Sequence, residues 1–236
     1  MRHKFGFISL LALTALVSTA SLFSAHARGQ AGKFDYYTMA LSWSPTFCQS
    51  SAGKRSKQQC NSGRPYAFVL HGVWPQYDSG WPSKCRVRDN WVPERVIQSM
   101  MDIMPSKKLI IHEWKKHGTC SGLSPEGYYL MSRKLFNQIK IPARYLSPQK
   151  PIVVTPEQIE KDFLLTNKNL KADMISISCG RGRKLREVRI CFDRKYNLTP
   201  CGTNENQRKL CSAREIVMPP VRGGSSRGFN LHRTSN

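Results

Sequence analysis

Eight cysteines constrain this 236-residue chain more than any other feature: Cys48, Cys60, Cys85, Cys120, Cys179, Cys191, Cys201 and Cys211. No two lie closer than ten positions, so there is no C-x-x-C pair to seed a zinc cluster. An even count in an exported chain reads as four disulfides. Eight cysteines allow roughly a hundred pairings, and spacing alone does not choose among them.

Export is legible at the start. Residues 1–27 hold Arg2 and Lys4 but no acid, then an apolar stretch from Phe5 to Phe23, then Ala25-His26-Ala27. That is the layout of a secretory signal peptide. Ser18, Thr19 and Ser21 interrupt the stretch, which argues against an uncleaved anchor. No comparable run of about 20 apolar residues follows, so no transmembrane segment is expected after cleavage. The rest carries enough apolar residues, 40% of the whole chain, for a real core, which excludes a disordered polar chain. A formal net charge of +22 points to a polyanionic partner without saying which.

Along the mature chain, Phe34 to Trp43 reads as a strand. Pro45 to Pro65 is polar and reads as a loop stapled by Cys48 and Cys60. Tyr66 to Leu70 is a short apolar run, a buried strand leading into His71-Gly72-Val73-Trp74-Pro75. Pro93 to Met104 and Leu109 to His117 have helical periodicity, the second stopping at Gly118. Ser124-Pro125 opens a helix to about Ile139, and Thr155-Pro156-Glu157-Gln158 another to about Asn167. Met174 to Ser178, Leu185 to Phe192 and Glu215 to Met218 read as strands. From Pro219 the chain is rich in Gly, Ser and Arg. The expectation is a domain over 28–220 and a flexible basic tail over 221–236. Helices and strands alternate without a βαβ rhythm, so the fold class is α+β: one domain, a central, mainly antiparallel sheet and flanking helices.

The chemistry sits in two stretches. On a helix, at about 100° per residue, His112, Glu113, Lys116 and His117 share an arc of about 140°, while Trp114 leaves it and packs inward. The spacing is H-E-x-x-x-H and not the H-E-x-x-H of a zinc protease, so the two imidazoles diverge too far for joint chelation. A solvated charged face is the plain alternative; Ile110, Ile111, Trp114 and Cys120 argue against it by pinning the segment. In the first stretch His71 precedes Gly72, which permits close approach, Trp74 offers a flat face for a base, and Pro75 stiffens the turn. The plain alternative there is a core histidine beside a packed Trp. Together the stretches supply what RNA cleavage needs: one neutral imidazole to take the 2′-hydroxyl proton, one protonated imidazole to supply the 5′-oxygen, and a cation for the phosphorane.

His71-Gly72-Val73-Trp74-Pro75 and the stretch from Ile111 to Cys120 resemble the two active-site segments of the ribonuclease T2 family of secreted, base-non-specific endoribonucleases. The likeness runs from about 34 to 220 and includes Trp43-Ser44-Pro45. The resemblance implies His117 as general base, His71 as general acid, Lys116 and Glu113 as stabilisers of the charged intermediate, His112 as phosphate holder and Trp74 as a base-stacking face. It also implies the disulfides Cys48–Cys60, Cys85–Cys120, Cys179–Cys211 and Cys191–Cys201. It further implies a single-stranded RNA substrate, cleavage through a 2′,3′-cyclic phosphate, and no metal or other cofactor. The chain is read as a periplasmic or secreted monomer that does not cut DNA. Gln76 and Tyr77 depart from many relatives and leave base preference open. Asn197-Leu198-Thr199 matches a glycosylation sequon. The competing reading, from charge alone, is a protein that binds RNA or an anionic surface and whose catalysis is incidental.

Overall fold

The computed structural model describes residues 29–222. The signal peptide expected over 1–27 and all but the first two residues of the tail expected over 221–236 lie outside the described residues. Among those described, no helix is long and apolar enough to cross a membrane.

Strand β1 (Tyr36–Trp43) is followed by three short helices, α1 (Ser44–Gln49), α2 (Ser51–Lys54) and α3 (Lys57–Cys60), and then by β2 (Phe68–Gln76). Next come α4 (Glu94–Met100), α5 (Lys107–Lys116), α6 (Pro125–Gln138), β3 (Ile152–Val154) and α7 (Pro156–Thr166). The chain ends with β4 (Ile175–Gly180), β5 (Lys184–Phe192), α8 (Gln207–Leu210) and β6 (Ile216–Met218). The six strands form one sheet in the order β2-β1-β5-β6-β3, with β4 also on β5. All pairings are antiparallel except a single parallel contact of β5 with β6. The fold is therefore the expected α+β domain.

Alternation in β1 sorts its side chains. Tyr37, Met39, Leu41 and Trp43 join the hydrophobic core with Ile110, Trp114, Tyr128 and Leu135 of the helices. Tyr36 and Thr38 face the other way and hydrogen-bond Glu205. Val188, Ile190 and Phe192 of β5 are core, whereas Glu187 and Arg189 meet each other through a hydrogen-bonded ion pair. The sheet thus has an apolar face under the helices and a polar face that carries a network.

Capping follows the sequence. Ser124 accepts from the Gly127 amide at 3.1 Å and Thr155 from the Gln158 amide at 3.1 Å, each with proline next in line. A cap of this kind is worth about 1 kcal/mol. The four disulfides are Cys48–Cys60, Cys85–Cys120, Cys179–Cys211 and Cys191–Cys201, the set the resemblance implies.

Several local expectations change. The stretch read as a loop from Pro45 to Pro65 contains α1 to α3, whose turns are too short to show apolar periodicity. The strand expected to end at Leu70 continues to Gln76, so Pro75 lies in a strand and stiffens no turn. Proline is tolerated there because β2 is an edge strand. At the end of the expected domain Trp43 Nε1 donates to the Pro219 carbonyl at 3.0 Å, and one residue past the boundary at 220 Val221 is buried.

Candidate active site

The catalytic candidate His71 owes its position to an irregularity in β2. Ala40 of β1 is opposite Gly72, and Leu41 is opposite Leu70, so His71 is an extra residue in the ladder. A bulge of this kind re-aims a side chain. It turns His71 toward the polar face, where its Nδ1 lies 2.6 Å from Glu187 Oε1. Its Nε2 lies 3.6 Å from Glu113 Oε1. The small neighbour Gly72 has a specific reason to be glycine: a Cβ there would sit 2.2 Å from Glu113 Oε2 and 2.6 Å from Trp74 Nε1. Gly72 lets the Glu113 carboxylate reach the strand, rather than making room for a ligand.

The second cluster is delivered by α5, which packs on β2. Ser106 caps its start by accepting from the Leu109 amide at 3.2 Å, and Ile110 and Trp114 anchor its apolar face in the core. Trp114 Nε1 also donates to the Asp89 carbonyl. The helix stops one residue earlier than expected. His117 is its C-cap, at φ −120° and ψ −48°, followed by a 3-10 turn over Gly118–Cys120. The helical arc therefore holds for His112, Glu113 and Lys116, while the cap conformation directs His117. Cys85–Cys120 ties this end to the loop after β2.

His71, Trp74, His112, Glu113, Lys116 and His117 all line one cavity of about 340 Å³. Trp74 is held more closely than its neighbours in the motif suggest. It is 8% exposed, its Nε1 donates to Glu113 Oε2 at 2.7 Å, and the Arg189 guanidinium lies 5.1 Å from its ring centre. The His71 and His117 rings both lie 5.3 Å from it. Trp74 lies between the two imidazoles, lines the cavity, and has most of its ring covered by its neighbours.

The environments of the two histidines are opposed. Burial disfavours a charge on His71, but the Glu187 hydrogen bond and the Glu113 and Glu187 carboxylates outweigh it and raise its pKa. Burial and the Lys116 charge push His117 down to about 3. Its Nδ1 is buried without a protein partner. Burial likewise raises Glu113, and burial, Lys116 and nearby cations lower His112. Glu187 is buried too, yet its bond to His71 holds it well below the usual carboxylate range. One imidazole whose surroundings favour its charged form and another whose surroundings favour its neutral form, beside a single cavity, meet the chemical requirements of an acid–base pair.

Four contributors escape the sequence reading. Arg189 donates from Nε and Nη2 to Glu187 Oε2, both at 3.1 Å, and reaches Glu205, so a buried chain of charges runs behind His71. Glu187 and Arg189 stand two apart on β5, the one available signal, but that spacing reads equally well as a solvent face. Trp81 lines the cavity and is 56% exposed. Asn204 fixes the turn before it, donating to the Gln76 side chain and to the Tyr77 and Gly80 carbonyls at 2.8–3.0 Å.

The family model described as the ribonuclease T2 family matches residues 34–201. A protein named "Ribonuclease" from Aeromonas hydrophila is 35% identical over 207 residues, covering 84% of this chain and 92% of that protein. A "Probable ribonuclease" from Haemophilus influenzae is 30% identical, covering 71% of this chain and 61% of its own length. Among solved structures, an RNase-related protein from Calystegia sepium superposes with a TM-score of 0.64 at 23% identity, over 80% of this chain and 99% of that one. RNase NT in complex with 5′-AMP gives 0.61 at 24% identity, over 80% of this chain and all of that one. At these identities the superpositions speak for the fold.

Proposed function

The chain belongs to the ribonuclease T2 family of endoribonucleases, and from that premise we propose that it is an exported enzyme cutting single-stranded RNA in two steps through a 2′,3′-cyclic phosphate. In the first step His117 takes the proton from the 2′-hydroxyl. The 2′-oxygen attacks phosphorus, the bond to the 5′-oxygen breaks, and His71 protonates that oxygen as it leaves. In the second step the roles reverse: His71 draws a proton from water, which opens the cyclic ester, and His117 returns its proton to the 2′-oxygen. The product ends in a 3′-phosphate.

The observation that carries this reading is the placement of His71 and His117 in one cavity with opposite charge preferences. Lys116 and His112 supply cationic and hydrogen-bonding contacts for the phosphate. Glu113, its carboxyl pKa raised by burial, holds Trp74 and His71 in place and can donate a proton to a phosphorane oxygen at acid pH. Trp81 takes the stacking role, since most of the Trp74 ring is covered by its neighbours. The two imidazoles and the ammonium account for every proton and charge in the scheme, so the reaction calls for no metal. Residues 1–27 direct export, the mature enzyme acts as a monomer in the periplasm or outside the cell, and DNA, lacking the 2′-hydroxyl, is not cut.

The test is incubation of the purified mature protein with dinucleoside monophosphates, with and without a chelator. A 2′,3′-cyclic product formed equally in both supports the reading. Activity lost to the chelator and restored by zinc would contradict it. Replacing His71 or His117 by Ala removes a proton-transfer partner worth about 10²–10⁴ in rate while leaving the fold intact.

A further inference from the structure

A groove of about 650 Å³ adjoins the catalytic cavity and shares His112 and Lys116 with it. Its other polar lining is Lys84, Arg86, Lys115 and Asn90, and no carboxylate lines it. Among the described residues, none of these four cations has an acidic partner within 4 Å. By contrast, the cations Arg95, Lys107, Arg133 and Arg144 each sit on a carboxylate. Four like charges converging on one groove repel one another, so the arrangement favours an anion between them.

The loop that carries two of them is held rather than loose. Lys84 has φ +52°, the left-handed region that a non-glycine side chain enters at a cost of about 1–2 kcal/mol. Its amide donates to the Lys116 carbonyl at 2.9 Å, and the next residue, Cys85, is bonded to Cys120. The catalytic helix and the basic loop are thereby locked together, so the groove keeps a fixed position relative to the catalytic cavity.

We propose that this groove is a phosphate-binding track which takes the phosphodiesters of single-stranded RNA beyond the one being cut. The proposal rests on the ribonuclease reading for the identity of the polymer. The continuity of the groove with the cavity through His112 and Lys116 selects an extension of the same polyanion over an unrelated partner. It makes the protein an enzyme for long RNA, with affinity gained from phosphates that a dinucleotide lacks.

The experiment compares the mature protein with the triple variant Lys84→Gln, Arg86→Gln, Lys115→Gln. Substrates are a dinucleoside monophosphate and an unstructured 20-mer RNA, each at low salt and at fourfold higher salt. Binding of a fluorescein-labelled 2′-deoxy 20-mer is measured in parallel by anisotropy. Each phosphate contact on a single strand contributes a salt slope of about 0.7, so three contacts cost the wild type about 20-fold in affinity over that range. The expected result is a 20-mer kcat/KM that falls about 10-fold or more in the variant at low salt, with a flattened salt dependence. Dinucleotide cleavage stays within about twofold, and deoxy-oligomer binding weakens in step. Equal losses on both RNA substrates, or unchanged 20-mer kinetics and binding, would overturn the proposal. So would a variant that loses binding to anionic lipid vesicles while keeping its affinity for the oligomer. If the wild type cuts neither substrate, the ribonuclease reading fails, and the deoxy-oligomer binding still decides the groove.

Discussion

Replacing Glu187 by Gln removes a charge from behind His71 while keeping an acceptor for its Nδ1. In the wild type that contact is 2.6 Å long, and Arg189 steadies the far oxygen at 3.1 Å. A hydrogen bond to a charged group contributes about 1.5–3 kcal/mol, against about 0.5–1.5 for a neutral one. The through-space attraction of the carboxylate for the imidazolium is lost as well. Arg189 and Arg186 partly offset that attraction already, and the His71 side chain is 33% exposed, so solvent screens it further. The net loss comes to about 1.5–3 kcal/mol, or about 1–2 pKa units. The sign is fixed: an anion raises the pKa of its cationic neighbour, so removing it lets burial dominate and the His71 pKa falls. If His71 is the acid, it must be protonated, and it therefore sets the alkaline limb of kcat/KM. His117, as the base, must be neutral and sets the acid limb, near its value of about 3. The assay is kcat/KM against pH on a dinucleoside monophosphate. The variant should show its alkaline limb about 1–2 units lower, with the acid limb almost unmoved. An alkaline limb in the same place in both proteins would refute the assignment of acid to His71 and base to His117.

Other changes test the surrounding geometry. Gly72→Ala drives a methyl into Glu113 and Trp74 and should cost about 100-fold in kcat, with a native circular dichroism spectrum, because misplacement of about 1 Å has effects of that size. Trp81→Ala should raise KM for a dinucleoside monophosphate about 10-fold and leave kcat within a few-fold, since stacking on an aromatic ring is worth about 1–3 kcal/mol per base; an unchanged KM removes Trp81 from the base site. The double change Cys85→Ser, Cys120→Ser opens a 35-residue loop and should lower stability by about 2–4 kcal/mol in urea melts.

What could be read in the sequence was whatever chemistry lay contiguous along the chain. His112, Glu113 and Lys116 share a helix face, so their mutual placement follows from helical geometry alone. Ser124-Pro125 and Thr155-Pro156 act through neighbours three residues away and are equally plain. Glu187 is different: its meaning depends on a partner 116 positions away, reached only through the pairing of β5 with β1 and β1 with β2. The surroundings of Trp74 were hidden for a related reason. An aromatic in an active-site motif suggests an open face, and only the packing of Arg189, His117 and Glu113 around it shows how much of the ring is covered. Trp81, between Gly80 and Pro82, gives no periodic signal at all; the Asn204 side chain, from far along the chain, sets the turn before it.

The extra residue in β2 resets the parity of the strand. Leu70 and Val73 stand three apart, yet both enter the hydrophobic core. Trp74 and Gln76, of the same parity as Leu70, face the catalytic cavity. His71 is the seam where inside and outside exchange numbers. A one-residue deletion at that seam would heal the ladder, and everything on one side of it would be turned over: either the residues lining the cavity would rotate into the core or the core residues would rotate out. The position of the histidine and the two-sidedness of the strand around it therefore depend on one and the same extra residue, so a change of length here disturbs core and cavity together.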